Sequence, residues 1–513
     1  MAKVVVYCIF SILVFLTAVY GGVPITSCTQ LPHPAVCQSL VNNTLDLPKV
    51  GFWELNLRGA ISNLRQAILA TSSINTDDID RRTKSAWEDC LALSNQSMEL
   101  LENSLKYPSN EDTQTWLSTI SANHGTCTDG FSDFNISVPM TILNISSGDT
   151  DKFLSNLLAI NKEHIPQKSK DNHRLFPEWL DVGDQRLLSS KSVKPDLVVA
   201  KDGSGDYKTI GEAVKASVKK RKHNKRFVIY IKAGVYSENV LITKDMTKLM
   251  FLGDGIKYTV VTGKRNVVDG DTTFKSATVA AEGDGFIAKD MTFENSAGPK
   301  KHQAVAFRSS SDKSVFYQCS FEGYQDTLYV HSKNQFYRSC SIYGTVDFIF
   351  GDASVVIQKC NIYARKPMKN QKNTITAQGR RDKNENTGIS IQCSHVMAAQ
   401  DLKPVERSFQ TYLGRPWKKY SRTVFMECKL DSLIAHKGWL PWNGSFALDT
   451  LYYGEYKNIG SGAGTSKRVK WKGYHPTMST SKASQFTVDK FLFGGSWIAD
   501  ADVSFNSGLD CHP

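Results

Sequence analysis

After residue 22 the chain has no apolar run approaching the ~20 residues that a bilayer-spanning helix needs, so no anchor is expected beyond the leader. Its eleven histidines nowhere take up a metal-ligand spacing, and no Ser-His-Asp order of a hydrolytic triad stands out. Neither a metal nor another cofactor is therefore expected. The regular leucine lattice of a leucine-rich repeat is missing. So is the acidic cluster that would hold calcium. These absences turn attention to the carboxylates placed singly along the chain.

What is present begins with a leader. Lys3 gives a positive start, Val4 to Val19 is mostly apolar, and Gly21 and Gly22 offer small residues for cleavage, which reads as a signal peptide over 1–22. The mature chain is expected to be secreted and soluble, and secretion permits disulfides. Of the eleven cysteines only Cys8 leaves with the leader. Sequons at Asn42, Asn95, Asn135, Asn144 and Asn443 are the expected glycosylation sites.

Charge divides the chain. Residues 1–190 carry 14 Lys and Arg against 20 Asp and Glu, whereas residues 191–513 carry 48 against 30. Outside the cell a basic half points to a polyanion as partner, and no nucleic acid is expected. The run Lys219-Lys220-Arg221-Lys222, taken alone, reads as a solvated loop.

At 513 residues more than one domain is expected. In the segment Trp87–Leu105, the residues Trp87, Cys90, Leu91, Met98, Leu101 and Leu105 trace one apolar helix face. Similar stretches over 57–70, 113–123 and 151–163 make residues 23–165 an antiparallel helix bundle. Cys28 and Cys37 stand close enough to clip its N-terminus, and Cys90 and Cys127 are placed to tie two helices, although spacing leaves the pairings open. Residues 166–195 read as a polar linker. From 196 to 513 the texture turns to short β-rich runs between Gly, Asn and Asp, interrupted by one helix with a capping box at Thr209-x-x-Glu212.

Within that second half the chain repeats. Phe-Tyr-Gln-Cys-Ser-Phe (316–321) returns as Phe-Tyr-Arg-Ser-Cys-Ser (336–341), and Cys319, Cys340 and Cys360 lie 21 and 20 residues apart. Repeats of that length built from strands predict a parallel β-helix. Residues one repeat apart then stack on neighbouring strands, about 4.8 Å apart. Cys340 and Cys360 are expected to stack and bond as a disulfide. Asp326 and Asp347, 21 residues apart in otherwise apolar runs, are expected to form a stacked carboxylate pair. Two like charges so close raise the pKa of one, giving an acid beside a nucleophile or base.

At this point five motifs converge: Gly234-Val235-Tyr236-Ser237-Glu238, Gln303-Ala304-Val305-Ala306-Phe307-Arg308, Gly323-Tyr324-Gln325-Asp326-Thr327-Leu328, Asp347-Phe348-Ile349-Phe350-Gly351 and Leu413-Gly414-Arg415-Pro416-Trp417. In this order the chain resembles the plant-type pectin methylesterases, and its first half resembles their inhibitor-like pro-region, including Thr126-Cys127-Thr128-Asp129-Gly130-Phe131. The resemblance implies hydrolysis of the methyl esters of polygalacturonan in the cell wall. It implies Asp347 as nucleophile, Asp326 as proton donor and later base, Gln303 and Gln325 as oxyanion donors, and Arg415 as the group that orients Asp347. Thr273, Gln303, Arg415 and Trp417 would contact substrate. Gly234-x-Tyr236-x-Glu238 is assigned to structure, as a turn with a buried partner, and Cys393, Cys428 and Cys511 to structural roles. A secretory-pathway protease would cut at Arg186-Leu187-Leu188, a separate inhibitor protein of the same family is an expected partner, and a monomer is expected.

Other pectin-cleaving β-helix enzymes fit less well. The Asn-Thr-Asp and Gly-His-Gly motifs of polygalacturonases are missing. A non-catalytic wall protein would not need all of Asp326, Asp347, Gln303, Gln325 and Arg415. Three departures from the family pattern stand out. A single Arg186 follows Gln185 where two basic residues are usual, and Lys275 stands where Arg is common. Ser118-Thr119-Ile120-Ser121 replaces an alanine-rich stretch, which bears on inhibitory strength.

Overall fold

The computed structural model describes residues 25, 27–42, 51–75, 79–107, 111–139, 148–164, 194–220, 225–498 and 503–510. The leader, the processing segment at Arg186-Leu187-Leu188, Asn144 and Cys511 lie outside the described residues.

The first half is a helix bundle of α1 (Pro34–Asn42), α2 (Phe52–Ser72), α3 (Arg81–Lys106), α4 (Glu111–Ser132) and α5 (Asp149–His164). Asp80 starts α3 by accepting the backbone N–H groups of Arg82 and Thr83, which would otherwise be unpaired in the first turn. Leu57, Leu64, Leu101, Leu117, Ile120, Leu157 and Leu158 close the core between the helices. The pairs Cys28–Cys37 and Cys90–Cys127 are disulfides, the second joining α3 to α4. Helix α4 continues well past residue 123, where apolar periodicity fades. Its second face, with Thr115, Ser118, Ser121 and Thr126, is small, polar and buried. That face is covered by the other domain, so hydrogen bonds replace the apolar pattern there.

The second half is a parallel β-helix. Three all-parallel sheets of eleven, seven and eight strands run along it, each coil adding one strand to each sheet over most of the length. Inside, Phe286, Phe293, Phe307, Phe316, Phe321 and Tyr337 stack from coil to coil, Phe316 and Tyr337 with ring centroids 4.4 Å apart. Burying each such ring is worth roughly 1.5–3 kcal/mol. The turns stack as well. Asp290, Gln318, Ser339, Lys359, Cys393, Glu427 and Lys457 occupy equivalent bends on successive coils, all left-handed with φ between 47° and 56°.

Helix α6 (Ile210–Lys220) caps the N-terminal end. The Thr209 hydroxyl accepts the N–H of Glu212, and the Glu238 carboxylate accepts those of Ile210 and Gly211, at 2.9 Å each. Glu238 is thus the capping anion of α6, which explains the acid in the Gly234-x-Tyr236-x-Glu238 motif.

The expected Cys340–Cys360 disulfide does not form. Both are buried free thiols, as are Cys319 and Cys428. In-register stacking holds parallel side chains at the strand spacing of about 4.8 Å, beyond the roughly 3.5–4.5 Å between Cβ atoms that a disulfide requires. Each thiol instead donates to backbone carbonyls, Cys340 to Phe316 and Arg338 and Cys360 to Gln358. Cys393 is disulfide-bonded, and none of the other described cysteines is its partner.

Of the sequons, Asn95, Asn135 and Asn443 are exposed, and Asn42 ends α1.

Candidate active site

Strand register brings the carboxylates together. Strand β1 (Leu328–Val330) pairs with β2 (Ile349–Gly351) through Leu328 and Ile349, so Asp326 and Asp347 take matching positions two residues before the paired ones. The N–H of Asp326 donates to the Val346 carbonyl at 3.0 Å, holding the two coils in step. Both aspartates are left-handed, with φ of 62° and 51°, a conformation uncommon for any residue but glycine and one that concentrates at functional sites. Asp326 is 8% and Asp347 6% exposed. Gly351 closes the Asp-Phe-Ile-Phe-Gly motif at φ 130°, where a Cβ would meet the Val330 carbonyl oxygen at 2.0 Å.

Arg415 makes the two acids unequal. Its Nε donates to Asp347 Oδ1 at 2.8 Å and its Nη2 to Oδ2 at 2.6 Å, a bidentate grip that fixes the orientation of this carboxyl group. The guanidinium lies 4.3 Å from the ring centre of Trp442. Gly414 is required just before it, since a Cβ there would lie 2.1 Å from Thr376 Oγ1. Asp326 has no such partner. Burial first, then the charges of Asp347 and Asp133, push its pKa well above the usual carboxylate range, with Arg415 opposing only in part. The two carboxyls of the pair therefore stand in different surroundings, one held by a guanidinium and one buried without such a grip.

These groups line a cavity of about 270 Å³ that also contains Gln303, Gln325, Thr273 and Trp417. All seven residues singled out from the sequence for chemistry or substrate contact thus meet in one place. Phe274, Tyr329, Phe350 and Trp442 share the wall and were not anticipated. Tyr329 and Phe350 follow from the repeat itself, being paired positions of β1 and β2 whose rings stack 4.2 Å apart.

The cavity is roofed by the helical domain. From α4, the Thr126 hydroxyl lies 3.0 Å from both the Tyr329 hydroxyl and Nε2 of His331. Burial, with Arg308 and Lys333 nearby, drives the His331 pKa well below its ordinary value, so this imidazole is neutral. Asp133 binds Thr273, and Asp129 pairs with Lys418 at 2.6 Å. Further out, Lys275 pairs with Glu88, Arg381 with Asp151, and Ser121 donates to Glu385. The acidic half has docked onto the basic half across the entrance to its carboxylate pair.

Both halves of the chain match known proteins. The family profile Pectinesterase matches residues 196–496, and Plant invertase/pectin methylesterase inhibitor matches residues 24–160. The chain is 49% identical to Pectinesterase 2 of Citrus sinensis over 489 residues, 94% of each chain. It is 50% identical to Probable pectinesterase/pectinesterase inhibitor 17 of Arabidopsis thaliana over 493 residues, again 94% of each. Among solved structures, pectin methylesterase from carrot is 57% identical with a TM-score of 0.61, covering 62% of this chain and 100% of its own. With one profile on each half and relatives aligned along nearly its whole length, the chain belongs to the pectinesterase family, as a member that carries the inhibitor-type helical domain in front of the β-helix.

Proposed function

We infer that the β-helix removes methyl esters from pectin by covalent catalysis on Asp347, releasing methanol and leaving galacturonate. The observation that carries this reading is the unequal pair: Asp347 gripped on both oxygens by Arg415, and Asp326, its pKa raised by burial, on the adjacent coil. Asp347 attacks the ester carbonyl carbon while the amides of Gln303 and Gln325 donate to the developing oxyanion. Asp326 gives its proton to the departing methoxide. As a carboxylate it then takes a proton from water, whose attack on the acyl-enzyme frees Asp347. Thr273 and Trp417 hold the sugar chain, Trp417 by offering a ring face.

The helical domain acts as a lid in cis. It covers the cavity that substrate must enter, so the uncut chain is a precursor of low activity. Cleavage by a secretory protease at Arg186-Leu187-Leu188 releases a secreted, monomeric enzyme that acts on the cell wall and remains open to separate inhibitor proteins. The test is methanol release from highly methylated pectin by the full-length chain carrying an inserted protease site between residues 165 and 193, before and after cutting. Cutting is expected to switch methanol release on. Reducing ends without methanol would overturn the reading.

A further inference from the structure

The column that stacks the two aspartates has a third member. Strand β3 (Asn373–Gln378) pairs with β2 through Thr376 and Ile349. Two residues earlier on each coil, Asp326, Asp347 and Thr374 therefore stand in line. Thr374 is 1% exposed. Its Oγ1 lies 2.8 Å from the Asp347 N–H, which donates to it, and 2.6 Å from Asp347 Oδ1, to which it donates. One hydroxyl thus holds both the backbone and the side chain of the same left-handed residue.

This contact makes the two carboxylate oxygens unequally held. An ionised carboxylate offers about four acceptor sites, two on each oxygen. Arg415 fills one on each, through Nε to Oδ1 at 2.8 Å and Nη2 to Oδ2 at 2.6 Å. Thr374 fills the second site on Oδ1. The second site on Oδ2 takes only the longer branch of the forked Arg415 Nε contact, at 3.1 Å, so it is the most weakly held of the four.

We propose that Thr374 is a positioning residue that pins the Asp347 carboxylate and leaves Oδ2 as the attacking atom. Resting on the reading of Asp347 as nucleophile, the step is as follows. The Oδ2 lone pair forms the bond to the ester carbonyl carbon, and the carbonyl π pair moves onto its oxygen. When that pair returns, the carbon–methoxy bond breaks and methoxide leaves with the Asp326 proton. The product is an Asp347 acyl-enzyme joined through Oδ2. Throughout, the Thr374 hydroxyl stays on Oδ1 and does not meet the substrate, so its effect belongs in kcat.

The experiment compares wild type, Thr374→Val, Thr374→Ala and Thr374→Ser, each folded as the full-length chain and then cut at the inserted site. A lost hydrogen bond to a charged group predicts kcat lower by about ten- to a hundred-fold in the Val and Ala variants, with KM within about twofold. Serine keeps the hydroxyl and is expected to restore kcat to within about threefold of wild type. Thermal unfolding screens each variant for folding; if Val fails, the Ala–Ser contrast decides. A fully active Val or Ala variant, a change confined to KM, or a Ser variant as slow as Ala would overturn the proposal. Asp347→Asn in the same series separates the two readings. If it stays active the nucleophile is wrong, and if it is dead while Thr374→Val is unaffected only the positioning role fails.

Discussion

Asp133 of the helical domain accepts hydrogen bonds from both the backbone N–H and the hydroxyl of Thr273, at 2.7 and 3.0 Å. Thr273 is also the residue expected to meet the substrate, a chain of carboxyl-bearing sugars. If Thr273 meets substrate as proposed, lid and polysaccharide would compete for the same donors, and occlusion would be direct blockage rather than a change transmitted from a distance.

The strength of that blockage is open to manipulation without touching the enzyme half. Asp151 of α5 pairs with Arg381 at 3.1 Å and with His124 at 2.7 Å. Asp151→Lys puts a cation against Arg381 and is expected to raise methanol release by the uncut chain, while the cut enzyme, freed from the helical domain, is unchanged. Equal activity of the two uncut chains would show that this contact does not hold the lid.

Docking should also depend on pH. Burial raises the pKa of Asp89 to about 6 and that of Asp133 to about 7, against an ordinary value of 3.8. Undocking exposes both to water, so the docked form binds more protons, and its advantage falls as pH rises through about 6 and 7. Methanol release by the uncut chain, divided by that of the cut enzyme at the same pH, is expected to climb between about pH 5 and pH 8. A ratio that falls over this range would contradict the assignment.

For the chemistry itself, Asp347→Asn is expected to abolish methanol release, because an amide cannot form the acyl-enzyme. Asp326→Asn removes the proton donor, and such help is typically worth about 10²–10⁴-fold in rate. Rates on cut, folded protein measure both. Near-normal turnover by the Asp347→Asn enzyme would remove the covalent mechanism.

Maturation makes a separate prediction. N-terminal sequencing of the secreted protein should find a start close to Leu187–Ser190, and Arg186→Ala should leave the precursor uncut. Unchanged maturation of that variant would move the cleavage elsewhere in 164–195.

Much of this architecture was legible because it is periodic. Cysteines 21 and 20 residues apart and two aspartates 21 apart mark the coil length, and with it the stacked carboxylate pair. Thr374 escaped because its coil is longer: 27 residues separate it from Asp347, which breaks the visible repeat while preserving the ladder. The spacing of Cys340 and Cys360 misleads for a related reason, since stacking brings Cα atoms within range while holding side chains parallel. The lid was hardest to read. Its contact face uses Thr126, Asp129 and Asp133, small and polar residues that on a lone helix look like a solvent face.

The three-membered column has one further implication. Asp326, Asp347 and Thr374 are separated along the β-helix axis by one strand each, so the gap between the two carboxyl groups is metered by the peptide group's own hydrogen bond. Side-chain substitutions can change what stands on each rung, but they cannot respace the rungs. Only the gain or loss of a whole coil could do that.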